Sequence, residues 1–210
     1  MEMILINAHG EKTTRKMTSV VTETKSDGDK SKIEFLLPAD VKGTRMLTWT
    51  HKKENDDQWL FLPALNRVKR ITSRNKSGSF MGSEFSYEDL GSQEVEKFTY
   101  EFVADEKIAN RDTWKMIRIP TDKKSGYSKQ HIWIDKGYMA AVKIDYFDRK
   151  GKLLKKALFS DYKKYGKFWR AGKIHMDNIQ TRKKSELTWS NRKLGTAFDD
   201  DQFDSDELAE

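Results

Sequence analysis

Apolar and polar positions alternate with a period of two along most of this chain, the pattern of strands with one buried and one wetted face. Phe98, Tyr100 and Phe102 alternate with Lys97, Thr99 and Glu101, and Val142, Ile144 and Tyr146 alternate with Lys143 and Asp145. Ile33 and Phe35 alternate with Lys32 and Glu34, and Leu37 continues the row. Comparable runs cover 2–8, 12–25, 30–37, 44–51, 57–62, 66–72, 97–104, 111–119, 128–135, 139–148, 152–165, 168–178 and 182–190. His9-Gly10, Asp27-Gly28, Lys42-Gly43, Lys136-Gly137, Lys150-Gly151 and Ala171-Gly172 punctuate them; glycine accepts the positive φ that tight hairpins need. Successive hairpins make an antiparallel meander, and so wide a sheet has to curl. The prediction is a mainly β protein, one domain over 1–210. Its core is a strongly curved antiparallel sheet, an incomplete, half-open barrel of about ten or eleven strands with short helical lid segments.

Alternation fails over 74–96. There Ser77-Gly78-Ser79 is turn-like, and Gly82-Ser83 stands where a cap for a short helix through Glu84–Leu90 would stand. Phe80, Met81, Phe85, Tyr87 and Leu90 need an apolar surface to cover, so this segment reads as a lid over the open side of the sheet. Gly78 and Gly82 suit the hinges of a movable one. The end of the chain, Phe198–Leu208, is acidic but spaces Phe198, Phe203 and Leu208 five residues apart. It reads either as a disordered tail or as a docking element.

With 210 residues the chain can bury a substantial core. Only 36% is apolar and 35% is charged, which suits a thin, well-wetted sheet. The net charge of +7 admits anionic partners, but the charges are interleaved, as on a solvated surface. The absence of cysteine excludes disulfides, thiolate metal sites and a cysteine nucleophile. No apolar run is long enough to form a membrane-spanning helix.

Candidate chemistry is sparse. His9, His51, His131 and His175 have no metal-ligand spacing, and the aspartates of 199–206 lack the glycine and terminal glutamate of a calcium loop. Gly78-Ser79-Phe80-Met81-Gly82 has its serine one position early for a nucleophile elbow. No phosphate-binding glycine loop occurs. Arg67, Lys69, Arg70 and Arg74 form the densest basic patch, a candidate charged contact for an anionic membrane surface or an acidic partner. In a strand, however, Arg67 and Lys69 point opposite to Val68 and Arg70, which dilutes a nucleic-acid platform. No nucleic acid, metal or cofactor is expected.

The segment Trp59–Ile71, its continuation Ser79–Leu90, and the stretch from Leu187-Thr188-Trp189-Ser190-Asn191 to Phe203 carry a resemblance. They resemble the outer-membrane lipoprotein-sorting-like family, related to the periplasmic lipoprotein carrier and its outer-membrane receptor. The resemblance implies a half-open barrel whose concave apolar face is covered by helical lids. It implies a periplasmic location, with an exported precursor's leader and a first helix preceding the chain in hand. It brings no catalytic residue. The implied function is non-enzymatic binding or carriage of a lipid, a lipoprotein acyl chain or another hydrophobic molecule, by a monomer that also serves a membrane exporter. The alternative is a scaffold that docks a membrane transporter without cargo; an enzyme whose site assembles in space ranks third. The groove candidates are Trp49, Trp59, Phe61, Phe80, Met81, Phe85, Phe98, Tyr100, Phe102, Trp114, Trp133, Ile144 and Tyr146.

Overall fold

A computed structural model describes residues 1–209. Its strands are β1 (Glu2–Ile6), β2 (Lys12–Thr22), β3 (Lys30–Leu37), β4 (Arg45–Trp49), β5 (Asp57–Leu62), β6 (Arg67–Arg70), β7 (Phe98–Ile108) and β8 (Arg111–Pro120). They continue with β9 (Tyr127–Asp135), β10 (Ala140–Asp148), β11 (Leu153–Ser160), β12 (Lys163–Tyr165), β13 (Phe168–Arg170), β14 (Lys173–Asn178) and β15 (Lys184–Thr188). Thirteen of them form one antiparallel sheet in the order β6-β5-β4-β3-β2-β1-β15-β14-β11-β10-β9-β8-β7. The sheet is wider than the ten or eleven strands expected, because every alternating run has an apolar face to cover and enters it. β6 and β7 are its two edges and do not pair, so the curved sheet stays an open barrel.

The runs 152–165 and 168–178 each break once. Their outer parts separate as the two-stranded ribbon β12–β13. The break is built into the backbone: Asp161 adopts φ of 55°, and the Gly172 amide donates to both Ser160 O and Asp161 O at 3.0 Å. A Cβ on Gly172 would stand 2.6 Å from Asp161 O, so only glycine fits the crossing.

Two apolar clusters lie on opposite faces. The concave face carries the larger, with Met3, Met17, Phe35, Met46, Leu60, Ile132, Ile144, Tyr146, Ala157, Met176 and Leu187. Phe80 and Phe85, from the segment between β6 and β7, complete it. On the convex face Leu47 and Phe61 meet Phe203 and Leu208. The tail is therefore a docking element: Trp49 Nε1 donates to Phe203 O at 2.7 Å, and Arg45 Nη1 to Leu208 O at 3.1 Å. The helix expected within 83–92 is only a single 3-10 turn, Tyr87–Asp89. Met81 and Gly82 both take positive φ, and the chain doubles back there so that Phe80 and Phe85 reach the core together.

Candidate functional site

The concave trough divides into a filled part and an open part. In the filled part, residues 78–90 cross the trough as a small looped plug. Phe80 is 0% exposed and sits against Phe35, ring centroids 5.7 Å apart. Within the loop, the Phe80 amide donates to Phe85 O at 2.7 Å and Ser83 Oγ to Phe80 O at 2.7 Å. Ser83 thus closes the turn instead of capping a helix.

Polar side chains at inward-facing strand positions hold this plug. Arg15 donates to Met81 O, and Gln58 Nε2 donates to Tyr87 O at 2.8 Å. Lys155 Nζ donates to Glu84 O at 2.8 Å and to Asp89 Oδ2 at 2.6 Å. Asn178 Nδ2 donates to Glu84 Oε2 at 2.6 Å, and Ser185 Oγ accepts from the Glu84 amide at 3.0 Å. The Tyr127 hydroxyl donates to Asp89 Oδ1 at 2.8 Å. Burial, with the Asp89 and Glu88 charges, pushes the Tyr127 phenol well above its ordinary range. Burial next to Asp89 also raises the Glu88 carboxyl, whose oxygens accept from Ser125 Oγ and the Gly126 amide at 2.9 Å. Residues 78–90, expected as a hinged, movable cover, are thus tied to the strands beneath them as a plug. The pinning residues were missed in the sequence. Their signal is a polar residue at an inward position, such as Lys155 two places before Ala157, where alternation calls for an apolar one.

A cavity of about 950 Å³ lies where the two sheet edges approach, between Gln58, Arg70 and Ile71 on one side and Phe98, Pro120 and Gln130 on the other. Its charged walls are largely paired: Arg70 with Asp57, Lys76 with Asp122 and Lys97 with Asp56. Beside it, buried Arg118 donates to Gln130 Oε1 and Gln93 Oε1 at 2.7 Å, its guanidinium 4.3 Å from the Phe98 ring centroid. This seam is polar and a poor host for an alkyl chain.

The open part lies toward the other end of the trough. Register places Phe102 beside Met116, Trp114 beside Ile134, and Phe159 beside Ile174. Phe102 is 58% exposed, and the other five are half-buried. They form an apolar mouth continuous with the concave core, since Met116, Ile134, Phe159 and Ile174 pack against it.

Of the groove candidates, Phe80, Met81, Phe85, Phe98, Tyr100, Phe102, Trp114, Ile144 and Tyr146 belong to the concave side, but Phe80, Phe85, Ile144 and Tyr146 are core. Trp49, Trp59, Phe61 and Trp133 are not groove residues. The first three alternate onto the convex face beneath the tail. Trp133 lies under Lys143, 3.9 Å from its ring centroid, and donates to Glu106. Strand parity decides this: their neighbours Met46, Leu60 and Ile132 take the inward positions. Arg67, Lys69, Arg70 and Arg74 are all exposed, with Arg70 bonded to Asp57. No group of three or more side chains placed to hold a metal occurs among the described residues.

The fold recurs in solved structures. A domain described as an outer-membrane lipoprotein-sorting protein from Vibrio parahaemolyticus is 48% identical, with a TM-score of 0.97 over 100% of this chain and 89% of that one. A DUF1329 family protein from Desulfovibrio piger is 29% identical, with a TM-score of 0.94 over 99% of this chain and 88% of that one. A LolA superfamily protein from Nitrosomonas europaea shares the fold at 17% identity, with a TM-score of 0.77 over 98% of this chain and 88% of that one. A family model described as an uncharacterized protein matches residues 27–210. No curated protein sequence matches.

Proposed function

Because this chain belongs to the outer-membrane lipoprotein-sorting-like family, we propose that it is a non-enzymatic periplasmic carrier. Its cargo would be a hydrophobic molecule, the acyl chain of a lipid or lipoprotein. The observation behind this reading is the uncovered apolar mouth of the concave trough. Phe102 is exposed and Trp114, Met116, Ile134, Phe159 and Ile174 stay half-buried, beyond the part of the trough that residues 78–90 fill. An alkyl chain laid there removes apolar surface from water at about 0.8 kcal/mol per methylene. A chain of about 14 carbons thus gains roughly 11 kcal/mol before entropic costs. Such affinity comes from area and needs no polar constellation, in keeping with a sequence that carries no catalytic motif.

The test is uptake of a fluorescent fatty acid by the purified protein, with palmitate as competitor. Ile134→Glu puts a charge into the mouth and should weaken uptake at least about tenfold, with folding followed by circular dichroism. Equal uptake by both proteins would sink this site. The plug favours a second reading, a scaffold that docks a membrane exporter without cargo, with the exposed basic edge strand Arg67–Arg70 as its contact for an acidic partner. Native mass spectrometry of protein taken from the periplasm separates the two: a bound lipid supports carriage, and its repeated absence supports the scaffold.

A further inference from the structure

The ribbon β12–β13 stands apart from the main sheet and has two unlike faces. One face is anchored. Tyr162 and Trp169 pack on Tyr138 with ring centroids 4.5 and 4.6 Å away, and Arg111 lies 3.7 Å from the Tyr138 ring centroid. The Tyr162 hydroxyl also donates to Ala141 O. The arm is therefore held in place at its root.

The outer face carries Lys163 and Arg170, the tip carries Lys167, and Lys164 shares the face of Trp169; all four are exposed. Phe168 is 47% exposed, with Lys167 and Arg170 each 5.2 Å from its ring centroid. Among the described residues no carboxylate forms an ion pair with any of these four cations. The patch extends through Arg192, which donates to Ala171 O at 3.1 Å and lies 5.9 Å from the Tyr165 ring centroid. Exposed Lys193 and Leu194 follow it.

We propose that this arm docks the protein on an anionic phospholipid bilayer. Unpaired cations near such a surface are each attracted to it, an attraction that fades within a Debye length. Phe168 adds an apolar side chain that can bury itself at the boundary of headgroups and acyl chains. Position supports the assignment. The arm prolongs β11 and β14 beyond Ser160 and before Lys173, at the end of the sheet where Phe159 and Ile174 face the open mouth. Docking by the arm turns that mouth toward the membrane. This last step rests on the carrier reading; the docking itself does not.

Sedimentation with vesicles tests it, comparing phosphatidylethanolamine–phosphatidylglycerol with phosphatidylcholine alone. The wild type should bind the anionic vesicles and release with salt. The triple variant Lys163→Glu, Lys167→Glu, Arg170→Glu should lose about tenfold or more in partitioning. Phe168→Ser should reduce the salt-resistant fraction. Arg67→Glu with Lys69→Glu serves as the control of similar charge change and should have a smaller effect. The proposal fails if the wild type binds both vesicle types alike or neither. It also fails if the control loses as much as the arm variant, or if the arm variant loses affinity only for an acidic protein. Fatty-acid uptake in solution, measured on the arm variant, should be unchanged; a protein that takes up fatty acid yet ignores vesicles defeats the arm and leaves the carrier reading standing.

Discussion

Lys155 Nζ meets Asp89 Oδ2 at 2.6 Å with both side chains buried, 4% and 7% exposed. This joins the middle of the sheet to the plug that crosses it. Removing one partner of a buried pair strands the other charge, which costs about 3–5 kcal/mol, whereas replacing both with apolar groups can be neutral. Asp89→Ala should therefore lower the unfolding free energy by about 3 kcal/mol, and Asp89→Asn, which keeps an oxygen acceptor for the Tyr127 hydroxyl, should lose less. Urea titration of the three proteins decides; an Asp89→Ala variant as stable as the wild type would show that this pair does not hold the plug.

The plug should behave as core in hydrogen exchange. The amides of Phe80, Ser83 and Tyr87 donate to Phe85, Phe80 and Gly78 carbonyls within the loop, and local opening must first break its ties to β2, β5, β9, β11, β14 and β15. Their exchange should be comparable to that of β10 and unaffected by fatty acid. Fast exchange that slows with fatty acid would restore a movable cover.

The tail should be a stability element. Phe203 is buried against Leu47 and Phe61, and truncating a buried phenylalanine costs about 3–5 kcal/mol. Phe203→Ala should lower the denaturant midpoint accordingly. A loss under about 1 kcal/mol, the range of surface positions, would mean that the tail is not docked in solution.

His51 should titrate late. Burial works against its charged form, but hydrogen bonds to Asp27 at 2.5 Å and Asp57 at 3.2 Å outweigh it and raise its pKa. Asp27 is held down at about 2, first by the His51 hydrogen bond and then by the Lys52 amide. A raised histidine stabilises fully below its unfolded value of about 6.5, and that contribution is lost as pH rises through the folded value. The Asp27 contribution is present above about 3.9 and is lost as pH falls toward 2. NMR titration of His51 should give a midpoint above that of a free imidazole, and His51→Gln should flatten the loss of stability as pH rises above about 6.5. An ordinary or lowered midpoint would refute the arrangement.

Much of the β architecture was legible because alternation and glycine turns are local. Phe98, Tyr100 and Phe102 announced a strand, and β7 is one, though as an edge strand it leaves Tyr100 and Phe102 exposed. The site was less legible. Trp49 and Trp59 look like groove aromatics in any linear reading, yet parity sends them to the convex face, where the tail covers them. Lys155 looks like one more surface lysine until β11 is set beside β14 and the plug is laid across both.

By itself the sequence determined what depends on near neighbours: strand pattern, hairpin turns, an interrupted segment over 74–96, and the absence of a local catalytic motif. Tertiary structure alone decided which face of each strand is concave, that Phe80 and Phe85 fill part of the trough, and that Phe203 closes a second core. It also decided that four cations stand on an arm outside the sheet. Pairings such as Trp49 with Phe203 or Lys155 with Asp89 span long stretches of chain. They gain free energy only once the curled sheet has brought the partners together and excluded water from between them.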